Sequence, residues 1–332
     1  MKKFKSLVLT VIGLLCSVSV SAHEFEVDGI YYNITSSADM TVAVTYRGNS
    51  STSYSNEYSG AVNIPESVTY HGRTYSVIRI GSYAFYDCSG LTSVVIPNSV
   101  TNIGSSAFSN CSSLTSIEIP NSVTSIGTAA FSNCLGLTSV VIGNSVTSIG
   151  EYAFSNCSGL TSVVIPNSVT SIGEFAFDDC DGLTSVVIGN SVTSIGPSAF
   201  YSCSSLTSVV IGNSVTSIGL FAFSGCNNLK VVLNNSSFTF AKGSSKYGNI
   251  AYYAEVVCNG YEQVDDFIFT EEGGACYLQA YIGDKTELVL PANYKGGNYG
   301  IGSYAFYDCD GLNSVVIIIR KTKRSCFLER NV

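Results

Sequence analysis

Two histidines, twelve cysteines and a few clustered carboxylates are the residues of this 332-residue chain whose types suit acid–base, nucleophilic or metal chemistry. The histidines, His23 and His71, both precede the regular part of the sequence. A Ser-His-Asp or Cys-His arrangement would therefore have to be built on one of these two. No G-x-S-x-G, H-E-x-x-H or phosphate-binding loop occurs. The adjacent Asp178 and Asp179 fall in an outer turn, where a solvated face explains them better than general acid–base work. Asp179-Cys180-Asp181-Gly182 and Asp308-Cys309-Asp310-Gly311 place oxygen ligands in a turn, but neither runs on into a full calcium loop with its closing Glu. No cysteine pair has the CxxC spacing of a zinc site. The expectation is a binding protein with no catalytic residues, no cofactor and no metal; a calcium-dependent solenoid stays open as an alternative.

The cysteines instead disclose an element that positions everything else. Seven of them fall at 88, 111, 134, 157, 180, 203 and 226, a constant step of 23, and Leu91, Leu114, Leu137, Leu160, Leu183, Leu206 and Leu229 keep the same step. The unit is too short to bury its own apolar face, so its stability must come from stacked neighbours. Within it, Leu91-x-x-Val94-x-Ile96 alternates as a short strand that ends at Pro97, a residue with no N–H for a ladder. The position of Val95 is Glu118 in the next unit, so it cannot face a core. Leu91, Val94 and Ile96 should point inward and Thr92, Ser93 and Val95 outward, with Val100 and Ile103 a second inward pair. The Ala107-Phe108 pair should pack a short helical turn on the outer side before Cys111. The predicted fold is a mainly β repeat solenoid of leucine-rich-repeat type: a right-handed coil with a parallel sheet on one face and short helical turns on the other. Equivalent Cα atoms would lie roughly 5 Å apart, within disulfide reach, yet in-register side chains point the same way. Buried, reduced thiols acting as small hydrophobes are the favoured reading, with bridging as the alternative.

The remaining chain divides around this array. Residues 1–22 read as a secretory signal: Lys2, Lys3 and Lys5, an apolar run from Leu7 to Leu15, and Val20-Ser21-Ala22 as cleavage site, giving a mature start at His23. Cys16 raises a lipoprotein alternative, which the bulky Leu15 before it disfavours. No later segment reaches about 18 unbroken apolar residues, the length of a membrane-spanning helix. Residues 23–79 form a β-rich N-terminal cap with the half-repeat Ile64-Pro65-Glu66-Ser67-Val68. Residues 80–235 hold the seven repeats, and 236–300 a Tyr/Gly-rich island with a second lead-in hairpin. In 301–317, Gly302 to Cys309 match 81–88 letter for letter, so a second array begins there. Residues 318–332 are an off-pattern basic tail carrying Arg320, Lys321, Lys323, Arg324 and Arg330. The break at Ile318 reads either as a truncated or frame-shifted end or as a genuine basic tail that touches an acidic surface. A net charge of −8 leaves nothing to neutralise a phosphate backbone, so nucleic acid is not an expected partner.

The AFxxCxxLTSVVIPxSVTSIG unit resembles the BspA-like class of leucine-rich repeats of bacterial surface proteins, over about 64–235 and more loosely over 267–317. Phe25-Glu26-Val27-Asp28-Gly29-Ile30-Tyr31-Tyr32 is similar to the opening of such proteins. The resemblance implies export to the cell surface or secretion, and attachment to an extracellular protein or cell-surface ligand. The tail carries no recognisable sorting or anchoring segment. The face of the sheet is the expected binding surface, through Thr92, Ser93, Val95, Thr115, Glu118, Thr138, Val141, Thr161, Val164, Thr184, Val187, Thr207 and Val210. Such a flat, nearly uncharged face binds weakly as a single site, so avidity is expected to add to it. Short hydroxylated and β-branched residues also simply make good strands. A carbohydrate- or ice-binding grid and a purely structural surface-layer repeat are the other readings of the same rows.

Overall fold

The computed structural model describes residues 23–47, 56–260 and, between 262 and 316, all but 265–266, 273–274, 282–284, 292, 296, 303–304 and 307–311. The expected signal segment, the basic tail and the Asp308–Gly311 turn lie outside the described residues. Each 23-residue unit makes one coil of a solenoid, with a four- or five-residue strand on one side and a two-residue strand on another. The long strands alternate as their sequence dictates: in Ser162–Ile165, Val163 and Ile165 are buried and Ser162 and Val164 exposed. The two-residue strands, Asn102–Ile103 through Ser217–Ile218, pair in parallel and in strict register from coil to coil. They continue the sheet of the N-terminal cap through Arg73–Ile80, so cap and array share one ladder.

The long strands do not form one unbroken ladder. Gly60–Asn63 pairs with Leu91–Val95, Ser116–Ile119 with Ser139–Ile142, and a separate sheet runs from Ser162–Ile165 to Val256–Asn259. At the far end of the ladder the N–H after the strand's last residue donates to the preceding coil, as Asn235 does to the Ile211 carbonyl at 3.0 Å and Gly260 to the Asn234 carbonyl at 2.6 Å. In the coils that begin at the two breaks, this position is Pro120 and Pro166. Proline has no N–H, so one rung is missing at each break.

The turn side contains no helix. From Gly104 to Leu114 the chain makes successive three-residue turn bonds, Ala107 N to Gly104 O (3.3 Å), Ser109 N to Ser106 O (3.2 Å) and Cys111 N to Phe108 O (3.2 Å). Ser106 and Asn110 sit at φ 53° and 64°, which rules out a continuing right-handed helix. The intervening N–H groups of Ser106, Phe108 and Asn110 instead donate to Thr128, Ala130 and Ser132 of the next coil, at 2.7–2.8 Å. A helical turn would have used those donors within one coil; turns release them to join two. Among the described residues the one helical element is the short 3-10 turn Tyr247–Asn249, beyond the repeats.

The core consists of rows, one residue per coil. Phe85, Phe108, Phe131, Phe154, Phe177, Phe200 and Phe223 are buried and stack with centroids 4.8–5.2 Å apart and planes within 11°. The cysteine row lies beside them as unbridged, buried thiols. Each Sγ from Cys111 onward donates to a phenylalanine carbonyl of the preceding coil, as Cys157 does to Phe131 at 3.2 Å. Burial pushes the thiols of Cys88, Cys111, Cys157, Cys180 and Cys203 up, Cys88 to about 11 and Cys180 to about 12. They therefore remain protonated and act as small hydrophobes with a weak donor.

Both ends of the array are closed. At the N-terminal end, Tyr58 tilts across Phe85 at 4.6 Å, accepts from the Tyr31 N–H at 3.1 Å and donates to the Thr45 carbonyl at 2.8 Å. At the other end the sheet runs past residue 235: Val256–Asn259 adds one more parallel strand in register with Val231–Asn234. Phe240, Ile250, Ala251 and Ala254 join the main core there. The first part of the expected island is thus the array's closing coil. A second, separate core follows, made of Phe267, Phe269, Leu278, Tyr281, Leu288, Leu290, Tyr294 and Ala305. Its strands repeat the cap's topology. Glu262–Val264, Phe267–Glu272 and Ala275–Tyr281 pair antiparallel, then Gly300–Ile301 adds in parallel, as Arg73–Ile80 adds to Thr41–Thr45 in the first cap. Glu287–Val289 pairs in parallel with Ser314–Val316, as Gly60–Asn63 does with Leu91–Val95.

Candidate interaction surface

Each coil presents three outward positions of its long strand, because the side chains of an extended segment alternate and the inward set is held by the core. Thr92, Val95, Thr115, Glu118, Thr138, Val141, Thr161 and Val164 are exposed, and Ser93 is half-buried. Val95, Val141 and Val164 keep 56–63% of their surface in solvent, a row of β-branched side chains with no covering layer. Glu118 is the one charge in the row. This half of the predicted surface is therefore open.

The other half is not. Thr184, Val187 and Thr207 are only half-buried or less open, and Val210 is 4% exposed. Val210 joins Val231 and Leu233 in an apolar cluster of its own, flanked by Val187, Val256 and Cys258. The reason lies in the next strand, where Ser and Val of the repeat become Val231 and Leu233. These larger apolar side chains on the outward face are themselves buried, and Val210 goes under with them. Val210 is thus corrected from an exposed to a covered position, and the open face narrows to the coils of Thr92 through Val164.

The threonine hydroxyls are engaged. Thr138, Thr161, Thr184 and Thr207 donate to the threonine carbonyl one coil earlier, at 3.0, 3.4, 3.1 and 2.9 Å. A second row behaves alike: Thr101, Thr124, Thr147, Thr170, Thr193 and Thr216 each donate across one coil at 3.0–3.2 Å. A ligand meets these hydroxyls as acceptors, since their protons serve to staple coil to coil.

The residues singled out for chemistry are scattered. His23 lies tilted against Tyr31 at 4.7 Å, and its partial burial lowers its pKa; His71 sits in a hairpin turn against Tyr70 at 4.0 Å. In the Asp179–Gly182 turn, Asp181 accepts from Ser204 Oγ at 2.8 Å. Among the described residues no group of three His, Cys, Asp or Glu side chains is placed to hold a metal ion. What the sequence reading missed is the turn edge, where Tyr83, Leu135, Tyr152, Tyr201, Leu220 and Phe221 stand exposed. The available signal was the variation among units: these positions change from coil to coil while the strand positions barely do.

This architecture has known counterparts. The BspA type leucine rich repeat region matches in six copies across residues 50–158, 78–207 and 124–253. Among solved structures, the chain is similar to a leucine rich cell surface protein from Faecalibacterium prausnitzii, with 29% identity over 88% of this chain and 76% of that one, and a TM-score of 0.55. It also matches a leucine rich repeat protein of T. pallidum at 25% identity, over 71% of this chain and 99% of that one, with a TM-score of 0.46. No curated protein matches. Among the described residues no helix is long and apolar enough to cross a membrane. Rows of Leu, Val, Ile, Phe and Cys at a 23-residue step, coils joined edge to edge in register, and a family match over more than half its length place this chain in the BspA-type leucine-rich-repeat family.

Proposed function

We infer that the protein is exported, held at or released from the cell surface, and binds an extracellular protein or cell-surface ligand without catalysis. The observation that carries this reading is the open strand face, where Val95, Val141 and Val164 are more than half exposed on a flat surface with no charge but Glu118. Similarity to a leucine rich cell surface protein supports the location. Four coils spaced about 4.8 Å apart, each offering about 15 Å of strand, give roughly 300 Å². A standard interface takes about 800 Å² from each partner. A single face therefore binds weakly, and many copies on one cell supply the avidity.

The test is binding of the full chain to immobilised matrix proteins and to partner bacteria, with a variant in which Thr138, Val141, Thr161 and Val164 are all changed to Lys. Binding should fall to background while the circular dichroism spectrum is kept; undiminished binding would remove the strand face as the site. A second reading, a structural surface-layer repeat, draws support from the threonine staples. It predicts that the wild type captures no foreign protein or cell and instead self-associates laterally in sedimentation experiments.

A further inference from the structure

The turn edge carries a different chemistry from the strand face, concentrated on two neighbouring coils. In the row of left-handed turn residues, Tyr83, Ser106, Ala129, Tyr152, Phe175, Ser198 and Phe221 occupy equivalent positions at φ 51–62°. Bulky aromatic residues are disfavoured in that conformation. Ser106, Ala129 and Ser198 show that the architecture is satisfied by small residues. Burial does not explain the aromatics either: Tyr152 is 40% and Phe221 58% exposed. Tyr152 and Phe175 stack with centroids 4.9 Å apart and planes 8° from parallel. Their row neighbours on either side are Ala129 and Ser198, so no further ring covers the pair among the described residues. The pair, Tyr152 exposed and Phe175 half-buried, is thus held at the surface, and its mutual stacking offsets part of that conformational penalty.

Carboxylates flank this pair along the chain. Glu151 and Glu174 directly precede the two rings and are exposed, Asp178 follows Phe175 by three residues, and Tyr201 occupies the position of Asp178 one coil on. Burial and the neighbouring Asp179 raise Asp178 to about 6, a carboxyl that gains from a cation beside it. No such cation is supplied by the array. Between Arg79 and Lys230 the sequence contains no Lys, Arg or His, against seven carboxylates: Asp87, Glu118, Glu151, Glu174, Asp178, Asp179 and Asp181. Lys230, the first basic residue after the gap, is paired with Glu255 at 3.1 Å.

We propose that the turn edge around Glu151, Tyr152, Glu174, Phe175, Asp178 and Tyr201 is a docking surface for a cationic polypeptide segment rich in Lys and Arg. Guanidinium and ammonium groups lie over the exposed ring faces while their charge is met by the flanking carboxylates, two interactions that reinforce each other. Coil spacing near 4.8 Å lets an extended segment crossing the edge meet successive rings and carboxylates. The partner is a polypeptide and not a sugar, because the surface offers uncompensated negative charge where a neutral ligand needs none.

The array itself provides variants that fold. Tyr152→Ser with Phe175→Ser installs the residue found at Ser106 and Ser198; Glu151→Thr, Glu174→Thr and Asp178→Ser install those of Thr128 and Ser155. Binding of fluorescent deca-arginine and deca-lysine to the full chain is followed by anisotropy at low salt. The wild type should bind both, deca-arginine the tighter, and no deca-glutamate. The aromatic pair of substitutions should weaken deca-arginine at least tenfold, as should the triple carboxylate variant, and added salt should weaken both peptides. A Val141→Ser, Val164→Ser variant should bind as the wild type, which separates this edge from the strand face. Absence of peptide binding by the wild type overturns the proposal, and so does an aromatic-to-Ser variant that binds deca-arginine unchanged, since charge alone would then account for it. Capture of neutral oligosaccharides in place of the peptides assigns the edge to sugars and equally overturns it.

Discussion

A single methyl group added at Gly150 tests the reasoning about how the coils are joined. Gly150 does not lie in the left-handed region, so on backbone grounds alone Gly150→Ala should stabilise the protein by about 0.4–1 kcal/mol. The preceding coil reverses that sign. A Cβ at Gly150 would stand 2.7 Å from the Gly127 carbonyl carbon, 2.8 Å from its oxygen and 2.8 Å from the Ile126 oxygen, all backbone atoms that no rotamer change can move. Restoring ordinary van der Waals contact requires the coils to part by about 0.7 Å. That displacement carries the Gly150 N–Ile126 O bond, now 3.0 Å, out of hydrogen-bond range and strains the pairing of Ser148–Ile149 with Ser125–Ile126 beside it. Two lost hydrogen bonds at about 1 kcal/mol each, with a similar amount for overpacking, make a net loss of about 3 kcal/mol. The chain has no Trp, so urea unfolding is followed by far-ultraviolet circular dichroism and tyrosine fluorescence. A midpoint equal to or above that of the wild type would refute the close-approach argument, for this row and for the equivalent Gly127, Gly173 and Gly196.

Other consequences are as direct. Tyr58→Phe leaves the buried Tyr31 N–H and Thr45 carbonyl without their partner, so the same urea assay should show a loss of about 1–3 kcal/mol. Asp178→Ser installs the residue of the preceding coil, Ser155, and has a pH signature. The folded carboxyl titrates at about 6 instead of 3.8, so folding takes up its proton between those values, and its contribution to stability is lost as pH rises through about 6. The full shift is worth about 3 kcal/mol, and solvent screening of a half-exposed group reduces it to about 1 kcal/mol. The variant should therefore be about 1 kcal/mol more stable than the wild type above pH 7 and equal to it at pH 4; equal stability at both would show that the burial of Asp178 carries no energetic weight. Iodoacetamide at about pH 8 should modify the half-buried Cys258 and Cys276 long before any thiol from Cys88 to Cys226, read by peptide mass spectrometry. Early labelling of Cys134 or Cys157 would contradict a row of buried thiols.

The strand rows were legible because they depend on one coil and its copies. Glu118 in a valine position gave the outward side, and the invariant Leu, Val and Ile gave the inward one, so burial follows the sequence closely as far as Val164. The turn side was misread for a local reason. Ala107, Phe108 and Cys111 have the spacing of one helical face, yet Ser106 and Asn110 adopt left-handed φ and the N–H groups go to the next coil. The preference arises between coils, where no single unit displays it. The ladder breaks were present in Pro120 and Pro166, but become visible only when the proline is paired with the carbonyl it cannot reach one coil earlier. Burial of Val210 was out of reach altogether, because it depends on Val231 and Leu233 in the coil where the repeat decays and on the chain that shields them. The second cap was legible by letter at 302–309 and is repeated in topology over the strands before it.

The division between a uniform strand face and a varied turn edge has a physical cause that bears on where specificity is stored. On the strand face each side chain sits about 4.8 Å from its copies above and below, and cross-strand packing rewards matched, β-branched or hydroxylated neighbours. The threonine staples tighten this further, since each hydroxyl must find the carbonyl of the coil before it. A substitution there is felt by three coils. On the turn edge the backbone donors hold the coils together whatever the side chain, as the bonds from Tyr152 to Glu174 and from Ser198 to Leu220 demonstrate at 2.9 Å each. Side chains there are free to differ, and they do: the same position holds Tyr, Ser, Ala or Phe along one array. A face that must repeat can offer area and avidity, whereas an edge that is free to vary can offer one place unlike all others. Glu151 to Tyr201 is that place in this chain, which is why the edge, and not the grid, is where a single substituted residue should change which partner is held.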